Sequence, residues 1–198
     1  MRLESKFLNC ILAIERIVRE ASFAAGPEEA LWAITRTLPS LLAEPNAAGR
    51  QDAHGGGTTA ATAFMLTPDQ RFHLTTAPVN FPPDQRHEKV AIDLGHPGHV
   101  ARTRHALLLR NTAHHESFVR ILKTFRAKSA LFAPLIWNED YLGVLLCASS
   151  VPETFSEADL SVHKAFASVA ATLWIAKDGP GWLATLDYDA LPERHEGV

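Results

Sequence analysis

The stretch SALFAPLIWNEDYLGVLLCAS, residues 129–149, determines the fold class. Residues 129–137 and 141–149 are rich in apolar, β-favouring side chains, and the polar residues 138–140 separate them as a hairpin turn would. Both segments are apolar at consecutive positions, which is typical of central strands covered on both faces. The sequence therefore predicts a central antiparallel hairpin with other elements packed against each side of it.

Four shorter segments that precede this hairpin are also predicted to be strands. Residues 61–67 and 72–77 are joined by a short turn, residues 88–94 alternate between apolar and polar side chains, and residues 106–109 are continuously apolar. Together with the hairpin, these segments predict an antiparallel sheet of about six strands.

Long helices are predicted on either side of the strand-forming region. Residues 3–22 carry apolar side chains at helical spacing, and Pro27, followed by two glutamates, marks the first turn of a second helix. A further long helix begins at Ser156, with Asp159 three residues later as its capping-box partner. Two shorter helices are predicted at residues 97–105 and 117–125, which completes an α+β fold with helices on both faces of the sheet.

One domain accounts for most of the chain. It is predicted to cover residues 1–177, divided into N-terminal helices (1–43), a mobile loop (44–60) and the sheet with its helices (61–177). A tail of residues 178–198 follows. We expect Trp182 and Tyr188 of this tail to pack against the domain, because the tail has more large apolar side chains than a disordered segment.

Composition and charge exclude several classes of protein. The 198 residues carry a formal net charge of -3 without a long block of one sign, so a basic nucleic-acid-binding face is not predicted. The sequence has no run of roughly 18 uncharged apolar residues that could span a bilayer, and charges near its start do not fit a signal peptide. Cys10 and Cys147 lie far apart, which suits two reduced thiols. We expect a cytoplasmic protein that binds neither nucleic acid nor membrane.

Four motifs in residues 95–175 resemble, in order, those of the GAF domain family. They are a glycine–proline–glycine entry into a short helix, a serine–hydrophobic–proline–leucine strand, a glycine-containing strand and a phenylalanine–serine helix start: GHPGHVA (95–101), SALFAPL (129–135), YLGVL (141–145) and FSEADL (155–160). The resemblance implies a sensory domain that binds a small molecule between the sheet and residues 96–125. It also implies that ligand occupancy is relayed to a partner signalling protein.

The residues that distinguish subfamilies of GAF domains narrow the choice of ligand. The asparagine–lysine pair of the cyclic-nucleotide receptors is not matched, since Thr112 follows Asn111. Bilin-binding members attach their chromophore through a cysteine beside a histidine, but Glu116 follows His115 here. Covalent attachment in this loop is therefore excluded, while non-covalent haem or tetrapyrrole binding stays open.

Histidines and arginines are concentrated in the region to which the resemblance assigns the ligand. Five of the ten histidines lie between residues 96 and 115, close to several arginines. Arginine forks suit small anions, and neutral imidazole can bind a ligand, a metal or haem, or can simply be solvated; zinc is disfavoured by the lack of a third ligand at suitable spacing. The predicted ligand contacts are His99, Arg110, Asn111, His114 and His115. The sequence predicts no metal site and no catalytic residue, and it does not identify a cofactor.

The sequence thus predicts a non-enzymatic sensory domain for a small molecule, with a small anion as one candidate. The alternatives are a haem or tetrapyrrole sensor, a ligand-free dimeric interaction scaffold, and a thiol-based methionine sulfoxide reductase, which would require Cys10 and Cys147 to meet. A homodimer through the first and last helices is expected, because both carry broad apolar stripes. Replacing Ile14 and Ile17 by charged residues should then separate the subunits.

Overall fold

The computed structural model describes residues 2–42, 58–115 and 119–194. These residues form an α+β fold in which a seven-stranded sheet has helices on both faces. The strands are β1 (Thr59–Leu66), β2 (Phe72–Val79), β3 (Lys89–Ala91), β4 (Leu107–Leu109), β5 (Ser129–Trp137), β6 (Asp140–Ser149) and β7 (Glu193–Arg194). The α-helices are α1 (Arg2–Ser22), α2 (Pro27–Leu42), α3 (Gly95–Thr103), α4 (Glu157–Ala176) and α5 (Gly179–Ala184). Most of the predicted loop 44–60 lies outside the described residues.

The sheet is organised around the predicted hairpin. The strand order is β4-β5-β6-β1-β2-β3-β7, and every pair is antiparallel except β3 with β7. Gly143 on β6 is required by the pairing with β1, because a Cβ there would lie 2.2 Å from the carbonyl oxygen of Phe64. The central β5–β6 hairpin is confirmed.

The period of two along β5 divides its side chains between two separate cores. Leu131, Ala133 and Leu135 belong to the larger core, whereas Ala130 and Phe132 belong to the smaller one. We call the side with the larger core the helical face, because α2 and α4 pack there with α1 on top of them. We call the opposite side, covered by α3 and residues 119–127, the cavity face.

The helical face is closely packed with large side chains. Trp174 and Phe166 of α4 and Ile34 of α2 are completely or almost completely buried. The predicted capping box at the start of α4 is confirmed, since Ser156 and Asp159 each accept a hydrogen bond from the other's backbone N–H. None of the helices within the described ranges combines the length and apolarity that a bilayer crossing requires.

The predicted helix 117–125 is wrong for its described part. Residues 119–125 form irregular backbone, and residues 117–118 lie outside the described ranges. Side chains take the place of the helical hydrogen bonds here. Gln85 binds the carbonyl of Ile121 and the N–H of Lys123, and Arg120 donates to the carbonyl of Leu122. We call residues 119–127 the cover segment.

The chain after α4 returns to the domain and supplies the strand beyond the six that were expected. The ring of Trp182 packs edge to face on Trp174, with 5.7 Å between ring centroids, which confirms the packing predicted for it. Tyr188 is half-buried, and its carbonyl accepts a hydrogen bond of 2.8 Å from Nζ of Lys89. Arg194 then pairs with Val90 where β7 runs parallel to β3.

Two predicted element boundaries also shift. β3 is shorter than the predicted strand 88–94, because the chain turns after Ala91 and enters α3 at Gly95. A Cβ at Gly98 would lie 2.4 Å from the backbone of Asp93, so only glycine permits this tight turn onto the sheet. The early start of α3 places His96 in its first turn, directly above the sheet.

Candidate functional site

A small cavity of about 30 Å³ lies on the cavity face, between the sheet and the cover segment. Ten of its eleven lining residues are apolar, and His96 is the exception. The apolar residues are Phe64, Pro97, Val119, Ile121, Leu122, Ala127, Ala130, Phe132, Leu146 and Ala148. Such a volume holds roughly one or two water molecules or a few ligand atoms.

The cavity exists because small residues meet at its floor. Ala130 of β5 and Ala148 of β6 are directly opposite each other in the strand register. Ala127 at the end of the cover segment adds a third small side chain. Neighbouring positions carry Phe132 and Leu146, so the floor is a local gap in an otherwise filled core.

His96 is the polar side chain of this cavity. It is buried, and its ring stacks on that of Phe132 with 5.9 Å between centroids and an interplanar angle of 26°. Burial, reinforced by the neighbouring imidazoles of His115 and His99, lowers the pKa of His96 to about 4. His96 is therefore neutral near pH 7, when its ring carries one donor and one acceptor nitrogen.

Two of the predicted contact residues lie next to His96. The exposed ring of His115 meets that of His96 edge to face, with 5.9 Å between centroids. His99 is exposed on α3, and its Nδ1 lies 3.4 Å from Nη2 of Arg102. The side chain of His114 lies outside the described part of the structure. Within residues 2–42, 58–115 and 119–194, no group of three or more potential ligands is placed to hold a metal ion.

The comparison with protein families agrees with this architecture. A model of the GAF domain matches residues 14–174, which is well over half of the chain. The chain belongs to the GAF domain family.

Solved structures with the same fold include the GAF domains of phosphoenolpyruvate-protein phosphotransferases from Coxiella burnetii and Acinetobacter. The Coxiella burnetii domain matches with a TM-score of 0.71 and 16% sequence identity, and the match covers 88% of this chain and 98% of that domain. The Acinetobacter domain matches with a TM-score of 0.70 and 17% sequence identity, and the match covers 85% of this chain and 94% of that domain.

A catalytic protein also shares the fold. The free methionine-R-sulfoxide reductase of Neisseria meningitidis, solved with its substrate, has a TM-score of 0.66 and 11% identity and covers 85% of this chain and 89% of its own. A search of curated protein sequences finds no match. At these identities the structural likeness shows the fold alone, and the fold does not decide between binding and catalysis.

The other two predicted contacts of this GAF domain point away from the cavity. Arg110 is exposed, and its guanidinium lies 3.6 Å from the carboxylate of Glu157 at the start of α4. Asn111 accepts a hydrogen bond of 3.1 Å from the N–H of Ala113 and so caps a short 3-10 turn. Neither side chain is among those that line the cavity.

Two further arginines near the histidine cluster, Arg102 and Arg104, lie at a different place. Arg102 and Arg104 line a cleft of about 240 Å³ at the end of α3, together with Asp93. The guanidinium of Arg104 lies over the ring of Tyr141, 4.1 Å from its centroid. The hydroxyl of Tyr141 in turn makes a 2.7 Å hydrogen bond with Nε2 of buried His73. The positive charges therefore do not converge on the apolar cavity.

Both thiols of the GAF domain lie in the core of the helical face. Cys147 is completely buried, and Cys10 is 5% exposed. Burial, with the nearby carboxylate of Asp159 acting in the same direction, raises the pKa of the Cys147 thiol well above its usual range. Since the thiolate is the reactive form, this environment suppresses nucleophilic chemistry at Cys147.

Proposed function

We propose that this GAF domain is a sensory module that binds a small, mainly apolar molecule in the cavity of the cavity face. The single observation that carries the proposal is the lining: ten apolar residues and one buried, neutral imidazole. Ligand pockets are commonly apolar, with a few polar groups that fix orientation. Here His96 would orient one polar group of the ligand.

The size of the cavity links binding to a change of conformation. Ligand pockets for drug-sized molecules measure about 300–1,000 Å³, whereas this cavity measures about 30 Å³. A ligand larger than a few atoms therefore has to displace the cover segment. Because binding then selects an opened state, occupancy is converted directly into a structural signal that a partner protein can read.

The same lining favours an uncharged ligand over a small anion. An anion in this cavity would be desolvated among apolar side chains without a facing guanidinium, which is costly. An anion could instead be held at the Arg102–Arg104 cleft, so the two ligand classes would act at opposite ends of α3. A tetrapyrrole would require a much larger opening of the cavity than a small heterocycle.

Indole is a suitable probe of the cavity, because it is planar and apolar and carries one N–H donor that can face His96. We expect indole to shift the methyl NMR signals of Ile121 and Leu122, and not those of Leu38 on the helical face. Ala127→Leu should fill the cavity and abolish the shifts, while Ala113→Leu at an exposed position should not.

Three further outcomes separate the alternatives. Shifts caused by phosphate or acetate but not by indole would favour an anion receptor. Visible absorbance of the purified protein would favour a tetrapyrrole sensor. Absence of any shift, together with a native mass that shows only polypeptide and no added ligand mass, would leave the dimeric interaction scaffold and contradict the proposal.

We propose in addition that two copies associate through α1. The apolar surface of this helix divides into two faces: Cys10, Ala13, Ile17 and Ala21 are buried, whereas Phe7, Leu8, Ile11, Leu12 and Val18 are 45–64% exposed. Two glutamates and two arginines of α1 form ion pairs with each other, so these residues add no net charge to the surface of the helix and two copies would not repel each other. A second copy of this helix is therefore the expected occupant.

The structure changes the substitutions that test this dimer. Ile17 is completely buried within the monomer, so a charge there would unfold the domain instead of separating subunits. Ile11→Glu is the appropriate variant, and Thr172→Glu on the exposed, polar side of α4 is its control. We expect the first variant to sediment as a monomer and the second to remain dimeric. A monomeric wild type at micromolar concentration would contradict the dimer.

A further inference from the structure

A buried glutamine makes two of the hydrogen bonds that hold the cover segment in place. Gln85 is completely buried in a 3-10 turn between β2 and β3. Its Nε2 donates to the carbonyl of Ile121, and its Oε1 accepts from the N–H of Lys123, each at 2.9 Å. Ile121 also lines the cavity. The orientation of one side-chain amide therefore fixes the part of the cover that lines the cavity.

A buried ion pair fixes that amide from the other side. Nε2 of Gln85 also donates to Oε2 of Glu88 at 2.9 Å. The carboxylate of Glu88 is held by Arg194, with Nη2 at 2.9 Å from Oε1 and Nε at 3.2 Å from Oε2. Both side chains are buried, at 7% and 6% exposure. Such forked pairs set the position of a carboxylate in two directions.

Arg194 is also a residue of the last described strand. It pairs with Val90 where β7 runs along β3, and the N–H of Lys89 donates to the carbonyl of Pro192 at 2.8 Å. The chain of contacts is therefore continuous from β7 through Arg194, Glu88 and Gln85 to the cover. Arg194, Glu88 and Gln85 are all buried, so the loss of one partner weakens the hydrogen bonding of the next group in the chain.

We infer that docking of β7 controls the opening of the cavity. The inference rests on the proposed function, because it assigns regulation to the proposed ligand site. When Arg194 leaves Glu88, the carboxylate needs another partner, and Nζ of Lys123 is only 3.8 Å away. Gln85 then loses its fixed acceptor, and the anchor of the cover at Ile121 and Lys123 is weakened. Coupling of this kind is reciprocal: a ligand that displaces the cover also weakens the docking of β7.

Hydrogen exchange of the full, ligand-free chain tests the coupling at a single amide. The N–H of Lys123 is bound to Gln85, so its exchange reports the closure of the cover. In Arg194→Ala we expect this amide to exchange about tenfold faster, while amides of the β5–β6 hairpin stay within about twofold of the wild type. Arg71→Ala, which removes an exposed arginine near the β1–β2 turn, should leave Lys123 unchanged.

A milder variant separates coupling from general loss of stability. Arg194→Lys keeps the charge but not the forked geometry. Its Lys123 amide should therefore exchange faster than in the wild type but more slowly than in Arg194→Ala. If hydrogen exchange at the hairpin amides is also faster in Arg194→Ala, that variant has lost stability as a whole, and the test then depends on Arg194→Lys. An unchanged Lys123 amide in Arg194→Lys, with faster exchange at the Lys89 amide that donates to Pro192, would overturn the inference, because β7 would then be loosened without any effect on the cover.

An indole titration distinguishes failure of the coupling from failure of the site. We expect Arg194→Ala to bind indole about fivefold more tightly than the wild type, because less work is needed to open the cover. Faster Lys123 exchange without indole binding in any variant would support the coupling and contradict the proposed ligand site. Indole binding that is the same in both proteins, with Lys123 exchange unaffected, would overturn the coupling and support the site.

Discussion

The two faces of the sheet are covered in different ways. On the helical face, helices of 16 and 20 residues place large side chains such as Trp174 and Phe166 against the strands. On the cavity face, a helix of nine residues and an irregular cover lie over a floor of alanines. The first arrangement depends on apolar packing, and in the second the cover is held by hydrogen bonds from side chains such as Gln85 and Thr112.

This contrast indicates a division of labour within one small domain. Close packing makes the helical face the main source of stability. The cavity face has fewer large contacts and a cover anchored at a few points, which is the kind of region that opens locally at low cost. A sensory domain needs both properties, because a ligand can only shift an equilibrium that is already near balance.

We expect the largest difference between the two faces when one phenylalanine is removed from each of them. Phe166→Ala on the helical face should lower the free energy of unfolding by about 3–5 kcal/mol. Phe132→Ala on the cavity face should cost about 1–3 kcal/mol, since Phe132 already borders a cavity and the cover can settle inward. Chemical denaturation measures both values. Equal costs would mean that the two faces are packed alike.

Acid should destabilise the protein through buried histidines on both faces. Burial lowers the pKa of His163 to about 4 and, with a contribution from Arg104, the pKa of His73 to about 3. These values lie below the unfolded value of 6.5, so the unfolded state binds more protons below pH 6.5 and stability falls as the pH falls. From pH 7 to pH 5 each histidine should remove about 1–2 kcal/mol.

Replacement of His163 tests whether this buried histidine of the helical face makes the stability of the protein sensitive to acid. The Nε2 of His163 donates to the carbonyl of Leu145 at 2.9 Å, and Gln could keep this bond without titrating. His163→Gln should therefore flatten the decline in denaturation midpoint between pH 7 and pH 5. A decline as steep as in the wild type would show that His163 does not remain neutral in the folded state.

Removal of both thiols should have a modest effect that is confined to stability. Cys10 and Cys147 lie in the core of the helical face, so Cys10→Ser with Cys147→Ala should cost about 1–3 kcal/mol. Indole binding on the opposite face should stay unchanged in the NMR titration. Lost binding in a folded double variant would revive the thiol-based reading of this fold.

Arg110→Ala should have the smallest effect. Its pair with Glu157 is solvent-exposed on both sides, so the change in the free energy of unfolding should lie within about 0–1 kcal/mol. Indole affinity should change by less than about twofold, because Arg110 is not among the cavity-lining residues. A large loss of affinity for either indole or phosphate would restore Arg110 as a ligand contact.

The sequence was informative where local patterns determine structure. The β5–β6 hairpin, the capping box of α4 and the burial of Cys147 follow from apolar runs and helix-start signals that act over a few residues. The family could also be predicted, because three of its four motifs lie in these same elements and the fourth lies in α3. The irregular cover was not predictable, since it depends on Gln85, which is 36 residues away from Ile121 in the chain.

The candidate site was only partly predictable for the same reason. A cluster of histidines pointed to the correct region, and His99 and His115 do lie beside His96. The burial of His96, however, depends on how α3 docks on Phe132, and no periodicity in the sequence records that contact. The gap formed by Ala130 and Ala148 likewise requires the strand register. The predicted contacts Arg110 and Asn111 lie close in sequence to the site but face other partners.

The most direct test of the central claim is amide hydrogen exchange with and without saturating indole. We expect the ligand to alter amide exchange in residues 119–127 and in β7, and to leave amide exchange in α2 and α4 unchanged. Exchange that is identical with and without indole, or that changes equally on both faces, would contradict the claim that ligand binding and structural response belong to the cavity face.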